Sequence, residues 1–199
     1  MRKALDDRVA VVDARSVDDF AACHLRGSIA VGFDGRFAET VGMVVDIDEP
    51  IALITYPGQE QTAAMRLARV GCDNTIGYVN VDRGGAFDPS LADLLQCAPR
   101  VSPAELDHLR AQDAVTLVDV RNPGEVERGA IPGAIHIPLA QLRSRIHQVS
   151  NEKPVVVHCA SGWRSSAAAS LLRARGFTDV SDLAGGYNAW ANGSPSCRT

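Results

Sequence analysis

A cysteine at position 159 opens a short segment whose residue types suit nucleophilic chemistry. Four residues separate Cys159 from Arg164, and Gly162 lies between them. A thiolate is a strong nucleophile, and a glycine lets a loop curl so that its backbone N–H groups converge on an anion. The sequence therefore predicts that Cys159 is catalytic and that the residues after it bind the substrate. The predicted substrate-binding residues are Ala160, Ser161, Gly162, Trp163, Arg164 and Ser165.

The segments on either side of this loop have the patterns of a strand and a helix. Pro154 is followed by an apolar run at 155–158, as in a short strand that is buried on both faces of a sheet. After the loop, the alanines and leucines of 167–174 predict a helix packed on that sheet, and Gly176 suits its C-terminal stop. Cys159 would then lie before a helix N-terminus, where free N–H groups and the helix dipole stabilise an anion such as a thiolate.

Three residues of this region allow a second interpretation. Cys159 could be a small buried residue, which is common for a free cysteine, but the strand, glycine, arginine and helix together favour a reactive thiol. His158 could act as a general base, yet neighbouring strand residues point to opposite faces, which favours a structural histidine. Trp163 could form part of the pocket wall or only shield the loop from solvent.

The composition indicates a globular protein without a membrane span. The chain has 199 residues, of which 46% are hydrophobic and 22% charged, and its formal net charge of -4 gives no reason to expect nucleic acid as a partner. No apolar run could span a bilayer, and the start lacks a signal-peptide pattern. The five cysteines are scattered without C-x-x-C pairs, which favours reduced thiols over a disulfide framework or a zinc site. We therefore expect a cytoplasmic protein without a metal or other cofactor.

The two halves of the chain repeat one pattern. A repeat of this length is the size of a domain, and each copy alternates strands with helices. We therefore predict an α/β fold with two tandem domains, each a mostly parallel central sheet flanked by helices. The prolines between the copies and a capping-box pattern at Ser102 and Glu105 mark the boundary. The matched segments are 11–15 with 117–121, 24–29 with 130–135 and 49–54 with 153–158; the predicted parts are a domain at 1–88, a linker at 89–100 and a second domain at 101–195.

The string C-A-S-G-W-R-S resembles the active-site loop of rhodanese sulfurtransferases, which cradles a persulfide. The related phosphatases and some arsenate reductases carry Cys-x5-Arg, to fit a tetrahedral oxyanion. The spacing here is Cys-x4-Arg, which favours transfer of sulfur over phosphate chemistry. The strings L-V-D-V-R and A-I-P-G-A also resemble the family signature, which implies that Asp119 and Arg121 support the loop through a structural network. The string G-G-Y-N-A-W resembles the closing motif of the family, in which Gly185 and Gly186 would form a tight turn beside the active loop.

The first copy lacks the reactive residues. Thr55 aligns with Cys159, and the loop after it has no cysteine or arginine but carries Glu60. We therefore expect the domain at 1–88 to be catalytically inactive, and, because it has no counterpart of the opening strand and most of the first helix, N-terminally truncated. It resembles the inactive rhodanese-like domain behind a metallo-β-lactamase-fold persulfide dioxygenase in bacterial fusion proteins. That resemblance implies such a dioxygenase as a partner.

The resemblance implies a rhodanese-type sulfurtransferase. Cys159 would take sulfane sulfur from thiosulfate or a low-molecular-weight persulfide, hold it as a persulfide, and pass it to a thiol or cyanide. One alternative is a non-catalytic sulfur carrier or docking module of a persulfide-oxidation system, which the inactive first copy supports. A phosphatase or arsenate reductase of the same fold is the less favoured alternative.

Overall fold

The computed structural model describes residue 1 and residues 9–193, and the chain divides into two compact units, Met1–Ala98 and Pro99–Thr199. The prediction of an α/β fold with mostly parallel sheets flanked by helices is confirmed in both units. Within the described residues, no helix combines the length and the apolar character needed to cross a membrane.

The first unit is built on a four-stranded parallel sheet in the order β3-β1-β4-β5. A separate antiparallel pair joins β2 to β6. The residues of β1 and β4 are buried throughout, as expected for central strands covered on both faces. Its elements are β1 (Ala10–Asp13), α1 (Val17–Ala22), β2 (His24–Leu25), β3 (Ile29–Ala30), α2 (Phe37–Val44), β4 (Ile51–Thr55), α3 (Glu60–Ala68), β5 (Thr75–Asn80), a 3-10 helix (Pro89–Leu94) and β6 (Leu95–Gln96).

The second unit is built on a five-stranded parallel sheet in the order β7-β11-β10-β8-β9. Its central strand, β10, is buried at every position and leads directly to Cys159. Its elements are β7 (Arg100–Val101), α4 (Pro103–Ala111), β8 (Thr116–Asp119), α5 (Pro123–Val126), β9 (Ile135–His136), α6 (Leu139–Arg145), a 3-10 helix (Ile146–Gln148), β10 (Val155–His158), α7 (Trp163–Ala174), β11 (Val180–Leu183) and α8 (Gly186–Gly193).

Each unit has a hydrophobic core of its own. In the second unit, Leu106 of α4, Val156 of β10 and Trp190 of α8 belong to one buried cluster that covers the sheet. The indole N–H of Trp190 donates to Asp107 Oδ1 at 2.8 Å, so its polar end is satisfied. Helix α7 buries every residue from 165 to 172, which its small alanine and serine side chains permit.

Most of the segment predicted as a linker, 89–100, is part of the first compact unit. Residues 89–98 belong to the first compact unit, because Pro89 begins a 3-10 helix and β6 pairs with β2. Two prolines suggested a linker, but a proline at the first helical position gives up no hydrogen bond. The capping box of Ser102 and Glu105 is confirmed at the start of α4. Among the described residues, the first sheet has no counterpart of β7.

Candidate active site

Cys159 follows the central strand β10 and lies directly before helix α7. Its side chain is buried, with 1% of the residue exposed. The backbone N–H of Gly162 donates to its Sγ at 3.2 Å, and the thiol lies 3.6 Å from Ser165 Oγ. Ser165 in turn donates to the carbonyl of Gly162 at 3.1 Å. The sulfur is therefore held by the loop and by the first turn of α7, where N–H groups stabilise negative charge.

The loop depends on a glycine at position 162. Gly162 has φ of +105° and is the N-cap residue of α7, so the chain takes a left-handed conformation immediately before the helix. A β-carbon there would also lie 3.2 Å from Arg100 Nη2. Glycine is the residue that adopts this conformation without steric cost. The positive φ of Gly162 supports the prediction that this residue lets the loop curl.

The start of α8 holds the loop from the other side. Tyr187 and Asn188 donate their backbone N–H groups to the carbonyls of Cys159 and Ala160, at 2.7 and 3.0 Å. A β-carbon on Gly186 would lie 2.6 Å from the Cys159 carbonyl oxygen, and φ of Gly186 is +60°. The glycine pair predicted to turn beside the loop is therefore in direct contact with it.

Arg164 forms an ion pair that the sequence analysis missed. Its Nη1 and Nη2 donate to the two carboxylate oxygens of Glu125, both at 2.7 Å. This hydrogen-bonded guanidinium lowers the pKa of Glu125 to about 2. The pKa of Arg164 is raised, first by the bond to Glu125 and also by the charge of the nearby Cys159. A cation therefore lies beside the thiol with its orientation fixed by Glu125.

Asp119 and Arg121 form a buried ion pair beneath the site. Arg121 Nη2 lies 2.6 Å from Asp119 Oδ2 and also donates to the Gly129 carbonyl at 2.9 Å. Its guanidinium lies over the ring of Tyr187, 4.1 Å from the ring centroid. Since Tyr187 also binds the Cys159 carbonyl through its backbone, this network connects β8 to the turn that holds the loop.

His158 is oriented towards Asp119. Its Nε2 lies 3.5 Å from Asp119 Oδ2. Burial lowers the pKa of His158, although Asp119 acts in the opposite direction. The ring is therefore neutral near pH 7 and packs within the sheet.

The remaining loop residues form the outer side of the site. Ser161 is exposed, whereas Ala160, Trp163 and Arg164 are half-buried. The half-buried part of the loop therefore includes one cation and one indole.

The first unit has no thiol at the equivalent place. Asp13 is opposite Ile54 in its sheet, as Asp119 is opposite His158, so Thr55 takes the place of Cys159. The Thr55 hydroxyl donates to Asn80 Oδ1 at 2.8 Å and is fully buried. The scaffold occurs twice, whereas the loop that carries a cysteine and an arginine is in the second unit.

Comparison with known proteins matches both units to one domain profile. A sequence profile described as a rhodanese-like domain matches residues 1–82 and 102–193. The chain is 45% identical over 74 residues to the uncharacterized protein YqhL of Bacillus subtilis, covering 37% of this chain and 59% of that protein. It is 38% identical over 96 residues to the thiosulfate sulfurtransferase GlpE of Pseudomonas syringae, covering 48% of this chain and 90% of that one. A solved structure of the human single-domain sulfurtransferase TSTD1 is 32% identical with a TM-score of 0.45, covering 49% of this chain and 98% of that one.

Proposed function

The chain belongs to the rhodanese-like domain family, and on that premise we propose that its second unit transfers sulfane sulfur through a persulfide of Cys159. The observation that carries this proposal is the buried sulfur of Cys159, which accepts the Gly162 N–H at the start of α7. Such a position stabilises a thiolate and, after transfer, the terminal sulfur of a persulfide.

The reaction has two displacements at sulfur. In the first, the Cys159 thiolate attacks the outer sulfur of thiosulfate, the S–S bond of thiosulfate breaks, and sulfite leaves with the bonding electrons. A low-molecular-weight persulfide would react in the same way and release its thiol. In the second, a thiol or cyanide attacks the outer sulfur of the Cys159 persulfide, and Cys159 leaves as the thiolate.

The loop supplies the electrostatic part of this mechanism. Backbone N–H groups between Ala160 and Ser165 would bind the persulfide anion, as N–H groups do in other anion-binding loops. Arg164 would attract the anionic donor, and Glu125 holds the guanidinium in place. Asp119 and Arg121 act as positioning residues. Asp119 pairs with Arg121, whose guanidinium lies over the ring of Tyr187, and the backbone of Tyr187 binds the Cys159 carbonyl.

The test is sulfur loading followed by mass spectrometry. The full-length protein incubated with thiosulfate should gain one sulfur atom, which trypsin digestion should locate in the peptide 146–164. Cys159→Ser should gain none, whereas the matched control Cys72→Ser should load as the wild type does. A wild-type protein that gains no sulfur, or equal loading of Cys159→Ser, would contradict the proposal.

A sulfur-carrier or docking function is the second candidate. It is supported by the first unit, which repeats the scaffold with Thr55 in place of the cysteine. A carrier would load with sulfur but would not turn over with cyanide or a small thiol. Steady production of thiocyanate from thiosulfate and cyanide would favour the enzymatic function. If the protein only loads with sulfur, a persulfide dioxygenase remains its predicted partner.

A further inference from the structure

Two cysteines of the first unit flank the antiparallel pair of β2 and β6 at the same end, Cys23 just before β2 and Cys97 just after β6. In this pair His24 is opposite Gln96 and Leu25 is opposite Leu95. One further step of the same register places Cys23 opposite Cys97. Cys23 has extended backbone at the end of α1, so the strand geometry continues to this position.

The position has the geometry that a disulfide requires. The N–H of Arg26 donates to the carbonyl of Leu94 at 2.8 Å, and hydrogen-bonded pairs alternate with non-hydrogen-bonded pairs along an antiparallel ladder. Continued by one step, this alternation makes Cys23 and Cys97 a non-hydrogen-bonded pair, a class in which the Cα atoms lie about 4.5 Å apart. Disulfides span Cα distances of roughly 4.4–6.8 Å. The Cys97 thiol also donates to the Ala22 carbonyl at 3.0 Å, which places its sulfur beside the backbone of Cys23.

The two thiols differ in access to solvent. Cys97 is exposed and Cys23 is half-buried, and both are free thiols in the structure. The pKa of Cys23 is raised, mainly by burial, with Arg15 opposing and Cys97 adding to this effect. A reagent from solution therefore meets Cys97 first, and Cys23 is placed to react second.

We propose that Cys23 and Cys97 form a redox-active dithiol, which low-molecular-weight disulfides such as oxidised glutathione convert to an intramolecular disulfide. The Cys97 thiolate attacks one sulfur of the oxidant, and one glutathione leaves as the thiol after taking up a proton. The Cys23 thiolate then attacks Cys97 Sγ in the mixed disulfide and releases the second glutathione. The protein loses two protons and two electrons, and the oxidant gains them.

The bond would connect the end of the first unit to the C-terminal end of α1. Residues 89–96 join the rest of the unit through the 3-10 helix and through β6, which is two residues long. Arg15 donates to the Cys23 carbonyl at 2.8 Å and is paired with Asp13. The disulfide would therefore anchor this segment covalently to a residue whose carbonyl is held by a buried ion pair. This inference does not depend on sulfur transfer by the second unit.

Trypsin separates every cysteine of the chain, which makes the test direct. The full-length protein is equilibrated with oxidised glutathione, quenched in acid, and its free thiols are alkylated. We expect Cys23 and Cys97 to be lost from the five alkylation sites, with no glutathione bound to either. Digestion should give one linked product of the peptides 16–26 and 84–100, and reduction should restore both.

Single variants distinguish the pair from unspecific oxidation. Cys23→Ser should keep glutathione bound to Cys97, whereas Cys97→Ser should leave Cys23 mostly alkylatable. Cys72→Ser is the matched control and should form the disulfide as the wild type does. The proposal is overturned if the wild type forms no linked product, or if Cys97 retains glutathione while Cys23 stays reduced. A linked product between other cysteines would also overturn it.

Discussion

At the scale of single residues, the candidate site depends on the pairing of Arg164 with Glu125. The two side chains are 23% and 29% exposed, so water screens the pair only in part. Glu125 also accepts the N–H of Asn122 at 3.1 Å, which closes the capping box at the start of α5. One carboxylate therefore both begins a short helix and orients the cation beside Cys159.

Replacing Glu125 by glutamine should lower stability in a pH-dependent way. Glutamine keeps an acceptor for Asn122 but loses the charge, so we expect the free energy of unfolding to fall by about 1 kcal/mol at pH 7. The folded-state pKa of Glu125, about 2, lies below its ordinary value. Its contribution is therefore present above about pH 4.5 and is lost as the pH falls towards 2. Urea unfolding should thus give a smaller difference between variant and wild type at pH 3 than at pH 7.

Tryptophan fluorescence makes this measurement specific. The chain has two tryptophans, Trp163 and Trp190, and both lie in the second unit. The exposed Glu127, two residues away on the same segment, provides the matched control Glu127→Gln. A stability difference for Glu125→Gln that does not change between pH 7 and pH 3 would show that the charge of the pair contributes nothing.

At the scale of elements, the contact between α8 and the loop fixes the position of Cys159. Gly186→Ala would introduce a β-carbon 2.6 Å from the Cys159 carbonyl oxygen at a residue with φ of +60°. The backbone on both sides must shift, since the nearest atoms belong to the main chain. We expect sulfur transfer to fall by about 100-fold, as a displacement of roughly 1 Å at a reacting group can cause.

Gly193→Ala is the matched control, because a β-carbon there meets nothing within 4 Å and the residue ends the same helix. The rate of thiocyanate formation and the circular dichroism spectrum should be measured for both variants. Equal rates would show that the turn does not position the loop. A Gly186→Ala variant that is folded but forms thiocyanate slowly would support a positioning role for the turn.

Local patterns predicted the elements around the site well. The strand after Pro154, the helix after the loop and the stop at Gly176 are confirmed, because adjacent residues specify them. The partner of Arg164 was not predictable in this way. Glu125 lies 39 residues earlier in the chain, and the local pattern around a carboxylate does not indicate which distant cation it pairs with. Strand β6 is two residues long and too short to show periodicity, so its pairing with β2 also escaped detection.

At the scale of the whole molecule, the two units use the same buried ion pair. Asp13 and Arg15 pair at 2.7 Å in the first unit, as Asp119 and Arg121 do at 2.6 Å in the second. In both, the arginine also donates to a backbone carbonyl eight residues further along. The pair recurs in the unit without a reactive cysteine, which indicates that it serves the scaffold rather than the chemistry.

Removing the aspartate carboxylate of this pair should therefore lower the free energy of unfolding of the unit that carries the substitution. Asp13→Asn and Asp119→Asn each leave a buried arginine without its counter-charge, which costs about 3–5 kcal/mol. The buried thiol of Cys72 reports on the first unit, and the fluorescence of Trp163 and Trp190 reports on the second. Alkylation of Cys72 under native conditions should become at least about 100-fold faster in Asp13→Asn, since each 1.4 kcal/mol changes an equilibrium tenfold. The urea midpoint measured by tryptophan fluorescence should fall in Asp119→Asn. The exposed Asp48→Asn should change neither quantity. Unchanged alkylation in Asp13→Asn, with a large fall of the midpoint in Asp119→Asn, would instead assign the pair to the site alone.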